Sequence, residues 1–304
     1  MLLLIEQLLN GLQLGVTLFL MSAGLTLVFG IMQVINLAHG SFYMIGAYVA
    51  ATVTARSGSF ILGLLVALPA AALVGMLVEA LVLRRLYKKE HVDQVLATFG
   101  LIMFFNELTR ILWGRQPLFM DVPSWLSGSF ELIPGIPYPS YRIAVIGVGL
   151  LVALFLYLMF SRTRIGMQIR AGASNREMAA ALGINIRLLY TLVFGLGTLL
   201  AGLAGVMAGP ILAVEAGMGE SILILTFVVI VIGGIGSVRG AFIGALLVGM
   251  VDTLGRAFLP ALFRLFLSSA YADGAAASIA SMSIYILMAV ILIWRPKGLL
   301  PAHG

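Results

Sequence analysis

Very few side chains in this 304-residue chain can do chemistry, and they are spread thinly. There is no cysteine, which excludes disulfides and thiolate metal sites. The three histidines, His39, His91 and His303, are too scattered for a metal-ligand pattern. The run "GGIGSVRG" (233–240) is glycine-rich, but no Lys follows its last glycine, so it is not a phosphate loop. Zinc-protease and nucleophile-elbow patterns are missing as well. No residue is therefore assigned a catalytic or metal role. What remains is a set of ionisable groups inside apolar runs: Glu79, the i, i+3 pair Glu107 and Arg110, and the i, i+4 pair Asp252 and Arg256. Carboxylates in such places suit the binding or relay of a cation or proton. The plainer reading of each close pair is self-neutralisation along one helix face. Glu79 is near enough to Arg84 for an interfacial pairing with a snorkelling arginine.

Two polar breaks interrupt the apolar runs. The first holds Asn36, His39, Gly40 and Ser41, placed either to cap the helix that follows, with Asn36 as N-cap, or to line a path through the protein. The second holds Gly233, Gly234 and Gly236. "HGSFYMIGAYV" begins at His39 and "RGAFIGALLVG" at Arg239, so each opens a helix after a break. Broken helices that recur in two halves of a chain flank substrate sites in many transporters; two short glycine-bearing matches also arise by chance.

The elements that must position these residues are membrane helices. The chain is 62% hydrophobic and 10% charged, with mean hydropathy +1.12. Apolar runs of 18 or more residues recur, each long enough to span a bilayer. They predict spans near 8–31, 40–55, 60–83, 94–113, 141–161, 188–212, 222–235, 240–258 and 278–294. The fold expected is an all-α polytopic membrane protein of about eight to nine spans, some of them broken, forming one domain over 1–304. The net charge of +6 needs no nucleic acid to explain it, because 12 of the 18 Lys and Arg sit at Arg84–Lys89, Arg162–Arg187, Arg239 and Arg295–Lys297. Basic clusters mark cytoplasmic loops, which places the N-terminus outside, the C-terminus inside and the proline-rich loop 114–140 outside. Small residues at helix-packing spacing, Ala201, Gly205 and Gly209, and Gly236, Gly240 and Gly244, fit close backbone approach in lipid.

One long polar stretch stands apart: "RTRIGMQIRAGASNREMAAALGI", from Arg162 to Ile184. Ser174 followed by Glu177 reads as a capping box, with Asn175, Arg176, Glu177 and Met178 opening a helix of about eight residues. Gly183 suits its C-terminal stop. Met178, Ala181 and Leu182 fall at i, i+3 and i+4, a small apolar face. So short a helix is marginal alone; it needs lipid headgroups or a groove on a partner to pack against.

This stretch, extended to "NIRLLYTLVF", resembles the cytoplasmic coupling region, about 162–187 here, of permease subunits of bacterial ABC importers for branched-chain amino acids. "GLTLVFGIMQVINLAHGSFYMIGAY" (24–48) and "VVIVIGGIGSVRGAFIGALLVG" (228–249) resemble the same LivH-type family. The resemblance implies that Ser174–Gly183 inserts into a cleft on an ATP-hydrolysing subunit and carries its motion to the spans. It implies a complex in the inner membrane with a second, LivM-like permease, two cytoplasmic ATPases and an external substrate-binding protein. It implies leucine, isoleucine or valine as cargo, although relatives of this pattern also move urea, amides or aromatic acids. ATP-Mg would be used by the partner subunits, and this chain would bind no cofactor. An ion-coupled secondary transporter relying on Glu79, Glu107 or Asp252, and a non-transporting scaffold, are the rival readings.

Overall fold

The computed structural model describes residues 2–87, 89–133 and 136–301. Lys88 in the first basic cluster and His303 lie outside them. Helices dominate because backbone N–H and C=O groups in lipid must be satisfied within the segment. In chain order they are α1 (Leu2–Met32), α2 (His39–Ser57), α3 (Phe60–Val78), α4 (Arg84–Leu86), α5 (His91–Trp113), α6 (Ser140–Arg162), α7 (Arg164–Ser174), α8 (Arg176–Ala181), α9 (Ile186–Ala208), α10 (Met218–Gly233), α11 (Val238–Phe263) and α12 (Ser269–Trp294). A π-turn, Glu79–Leu83, joins α3 to α4, so Phe60–Leu86 is one 27-residue rod. Seven helical segments among the described residues are long and apolar enough to cross a membrane. The 19-residue α2 and the 16-residue α10 complete the nine segments expected from hydropathy. The chain is thus an all-α polytopic membrane protein.

Local signals explain the ends. Ser59 caps α3 by accepting from Leu62 N, and Ser237 caps α11 by accepting from Gly240 N. Gly58 and Gly114, at φ +68° and +86°, turn the chain out of α2 and α5. Among its described residues the loop before α6 holds no α-helix, in line with its prolines, but it contains a 3-10 turn, Ser124–Leu126, and a short antiparallel strand pair, β1 (Ser129–Ile133) with β2 (Ile136–Pro139). The segment 259–277 departs from the expected loop: α11 runs on through Pro260 to Phe263, and α12 begins at Ser269.

The helices form two compact units, one from 1–22, 124–150 and 226–304, the other from 23–123 and 151–225. Three of the four divisions fall inside α1, α6 and α10 and the fourth in the loop after α5, so neither unit is a continuous piece of sequence. In the second unit α2, α3 and α9 pack on one another through bare backbone. A side chain on Gly46 would strike Gly202, one on Gly205 would strike the Tyr43 carbonyl, and one on Gly75 would strike Thr198. In the first unit Gly15 and Gly249 press α1 against α11, while Gly233 and Gly240 press α10 against α11. Gly205, Gly240 and Gly244 thus do serve intramolecular packing, as their spacing suggests. Without a hydrophobic drive between helices in lipid, such close contact is a main source of cohesion.

Overpacking this seam should be visible. Gly205→Leu is expected to lower the thermal midpoint of the detergent-purified protein, at a cost of about 1–3 kcal/mol or more. Gly100→Ala, whose added carbon meets nothing within 4 Å, should leave it unchanged or slightly raised, because alanine favours helix. Equal midpoints for the two variants would contradict the packing account.

Candidate functional site

The polar stretch folds as two short helices separated at Asn175. Thr163 caps α7 by accepting from Gly166 N at 3.1 Å. Asn175 then adopts extended backbone, φ −154° and ψ 101°, ending α7. Its Oδ1 accepts from Met178 N at 2.9 Å and starts α8. This corrects the expected capping box: Ser174 is the last residue of α7, and the cap lies one residue later because an amide side chain on extended backbone reaches the free N–H. The helix is six residues, shorter than expected. Its end is as expected. Gly183 sits at φ +88°, its N–H bonds Ala180 O at 3.0 Å, and Ile184 N bonds Ala179 O at 3.1 Å, a complete Schellman motif. Ala179 is buried on the side packed against α7 and α9. Ala181 is exposed, and Met178 and Leu182 are 59% and 76% exposed. Arg176 and Glu177 join Gln33 and Ser174 in lining a cleft of about 220 Å³ beside the end of α1.

The first break, 33–38, is irregular backbone, with Val34, Asn36 and Ala38 buried. Gln33 is its hinge, the one non-glycine residue at positive φ (54°) among those described. The sequence reading put Asn36 at the N-cap of α2. The structure places Ala38 there, with no side-chain cap, and leaves both polar atoms of the fully buried Asn36 amide without a hydrogen-bond partner among the described residues. His39 is fully buried, with its Nε2 close to where a Cβ on Gly24 would stand. Gly40 and Gly219 touch backbone to backbone, bringing the first turns of α2 and α10 together. Beside this contact, Asn106 Nδ2 donates to Glu220 Oε1 at 2.5 Å. Sequence reading missed both residues. The available signal was an acid in the first turn of a short apolar helix, "GMGESILIL".

The second break belongs to the other unit. Gly234 and Gly236 take φ +107° and +83°, and the C-terminal segment closes over them: Leu299 N bonds Ile232 O and Leu300 N bonds Gly233 O, both at 2.9 Å. Gly233, Gly234 and Gly236 are thereby each accounted for by backbone geometry or close contact.

Glu79 is not an isolated carboxylate. It is fully buried at the π-turn and accepts from Arg84 Nη2 at 2.8 Å, Arg84 Nε at 3.3 Å, Tyr87 Oη at 2.6 Å and Thr191 Oγ1 at 2.7 Å. Arg84 Nη2 also donates to Thr191 Oγ1 at 2.8 Å. The π-turn is what swings Glu79 and Arg84, five residues apart, onto one face. Burial, then the hydrogen bond donated to Glu79, pushes the Tyr87 phenol well above the usual tyrosine range. The helix pairs expected from spacing form, Glu107 with Arg110 at 2.6 Å and Asp252 with Arg256 at 2.9 Å.

Removing the carboxylate with Glu79→Ala takes away the acceptor shared by the Arg84 guanidinium, the half-buried Tyr87 phenol and the Thr191 hydroxyl. It should destabilise the purified protein by about 1–3 kcal/mol, with Thr191→Val costing less, read as thermal midpoints; no shift in either variant would mean that the network is not holding α9 to the rod. Comparison with known proteins covers almost the whole chain. The family described as branched-chain amino acid transport system / permease component matches residues 7–294. Permease protein BraD of a high-affinity branched-chain amino acid transport system of Pseudomonas aeruginosa is 31% identical over 97% of this chain and 95% of its own. LivH of Salmonella typhimurium, described in the same terms, is 30% identical over 97% and 95%. The ribose import permease protein RbsC of Escherichia coli is 27% identical over 77% and 72%. No solved structure matches significantly. With its helices, its two breaks and its full-length match, the chain belongs to the branched-chain amino acid transport permease family.

Proposed function

We propose that this chain is the LivH-type permease subunit of an ATP-driven ABC importer and forms part of the translocation path for leucine, isoleucine and valine. An external binding protein delivers the cargo, a second, LivM-like permease stands beside the chain, and two cytoplasmic subunits hydrolyse ATP-Mg. The chain itself hydrolyses nothing and needs no cofactor. It lies in the inner membrane with its N-terminus and loop 114–140 outside and its basic clusters and C-terminus inside. The names of the full-length relatives support the cargo. The observation that carries the coupling is the exposed apolar face of Met178, Ala181 and Leu182 on a helix capped at both ends. It is rigid, small and outward-facing, as a helix set into a partner's groove must be.

Uptake of labelled leucine by cells should stop when the phosphate loop of the partner ATPase is disabled. Uptake that persists and follows the proton gradient would favour the ion-coupled rival. Competition with ribose in the same assay tests the cargo. For orientation, single cysteines placed at Ser127 and Ser174 should label and not label, respectively, with an impermeant thiol reagent on intact cells; the reverse pattern inverts the topology.

Docking is tested at the apolar face. Ala181→Arg or Leu182→Asp should remove the ATPase from the purified complex and abolish uptake, because an unpaired charge buried in a groove costs several kcal/mol, on the order of 3–5. Asn175→Ala should weaken the helix by ~1 kcal/mol and reduce uptake partially, while Ser174→Ala should do little. If Ala181→Arg keeps both ATPase and uptake, α8 instead lies on lipid headgroups, which accept an added arginine readily.

A further inference from the structure

Where α2 and α10 meet, their first turns and α5 enclose a narrow cleft lined by Leu37, Ser41, Met44, Ile102, Asn106 and Glu220, among others. The cleft is too narrow to hold a water molecule, and Glu220 at its edge is exposed. Its walls divide by chemistry. Leu37, Met44, Ile102 and Leu223 make one apolar lining. Against it stand the Glu220 carboxylate, its partner Asn106, and Ser41, which is 4% exposed and whose hydroxyl makes no hydrogen bond among the described residues. Glu220 has no cationic partner within 4 Å among the described residues. Its one hydrogen bond comes from a neutral amide.

Depth makes this carboxylate unusual. Asn106 is seven residues before the Trp113 end of α5, which puts it about 10 Å inside that span at 1.5 Å per residue. Glu220 is exposed in the single chain, and an ionised carboxylate at such depth faces lipid only at a steep cost. A carboxylate so placed suits a face turned to water, to a charged cargo or to a partner subunit rather than to lipid. The α2 N-terminus adds the positive end of a 19-residue helix to the same cleft.

Resting on the permease reading above, we infer that this cleft is a closed gate on the translocation path, built to pass aliphatic α-amino acids in zwitterionic form. Glu220, held by Asn106, meets the ammonium group. The first turn of α2, with Ser41, meets the carboxylate. Leu37, Met44, Ile102 and Leu223 take the aliphatic side chain. Urea and neutral amides lack the cation that Glu220 requires, so the carboxylate favours amino acids over cargo of that kind. The Gly40–Gly219 contact lets the two helix starts close on one another without side chains between them, and their separation would open the gate.

The test uses the complete importer, with its own binding protein, second permease and ATPases, in liposomes, measuring leucine uptake and ATP hydrolysis together. Glu220→Gln removes a charge-assisted contact and is expected to lower the maximal uptake rate about tenfold. The leucine concentration for half-maximal uptake should hold, since the binding protein sets it. Stimulated ATP hydrolysis should also hold, so ATP spent per leucine rises by the same factor. Glu220→Asp should recover most of the uptake. Uptake and hydrolysis falling in proportion would show that Glu220 merely stabilises the α2–α10 junction, and would overturn the inference. So would uptake by Glu220→Gln at the wild-type rate. If the wild-type complex moves ribose and not leucine, the amino acid reading falls and the ammonium role with it; a failure confined to the variants overturns the gate alone.

Discussion

Everything in this molecule follows from the demand that backbone polar groups in lipid be satisfied internally. Long helices meet it automatically. The two breaks do not, and the structure handles each by burial. The first, 33–38, is enclosed by side chains and packed helices, with Val34, Asn36 and Ala38 shielded. The second is closed by backbone hydrogen bonds from Leu299 and Leu300 to Ile232 and Gly233. Irregular backbone is tolerated at membrane depth only in such enclosed places or along a cavity.

The same demand shapes the packing. Helices whose outer faces are as apolar as the lipid gain little by hiding those faces, so cohesion comes from close backbone approach and from polar groups shared between helices. Both devices appear on α9. Gly197, Gly202 and Gly205 admit α1, α2 and α3 to near-backbone distance, while Thr191 reaches the buried Glu79 carboxylate on the rod that begins as α3. The large exposure of residues such as Leu65, Leu77, Phe104 and Leu151 is the complement, since lipid is their solvent.

Much of this was legible in the sequence, for identifiable reasons. Hydropathy alone marked the nine apolar segments, because a bilayer sets their length. The polar stretch 162–184 was legible because five charges in 23 residues stand out in such a chain, and Gly183 announced the stop of its second helix. The cap was misplaced by one residue because Ser174 and Asn175 are both good caps, and only the backbone angle at 175 chooses between them. Asn36 misled for a similar reason: a capping residue type near a helix start says nothing about whether the first turn lies within its reach. Glu220 and Asn106, 114 residues apart, share no local pattern, and neither do Tyr87, Thr191 and Glu79 as a set. Such meetings come from helix crossing, to which glycine spacing gives only a hint.

The second unit also orders its parts in a sequence that suits transmission. α8 is tied to α9 by the Schellman turn and the Asn185 cap, which accepts from Leu188 N at 3.1 Å. α9 is locked to the rod at Thr191 and to α2 at Gly205 and Gly202. α2 in turn supplies the first turn that closes on α10 at Gly40 and Gly219. From α8 to the cleft the joints are thus hydrogen-bonded turns, a side-chain hydrogen bond to Glu79 and backbone contacts between helices. Packed interfaces of this kind respond by stepping between discrete arrangements more readily than by deforming smoothly. The last joint is the Gly40–Gly219 contact, where two helix N-termini of like polarity meet beside Glu220.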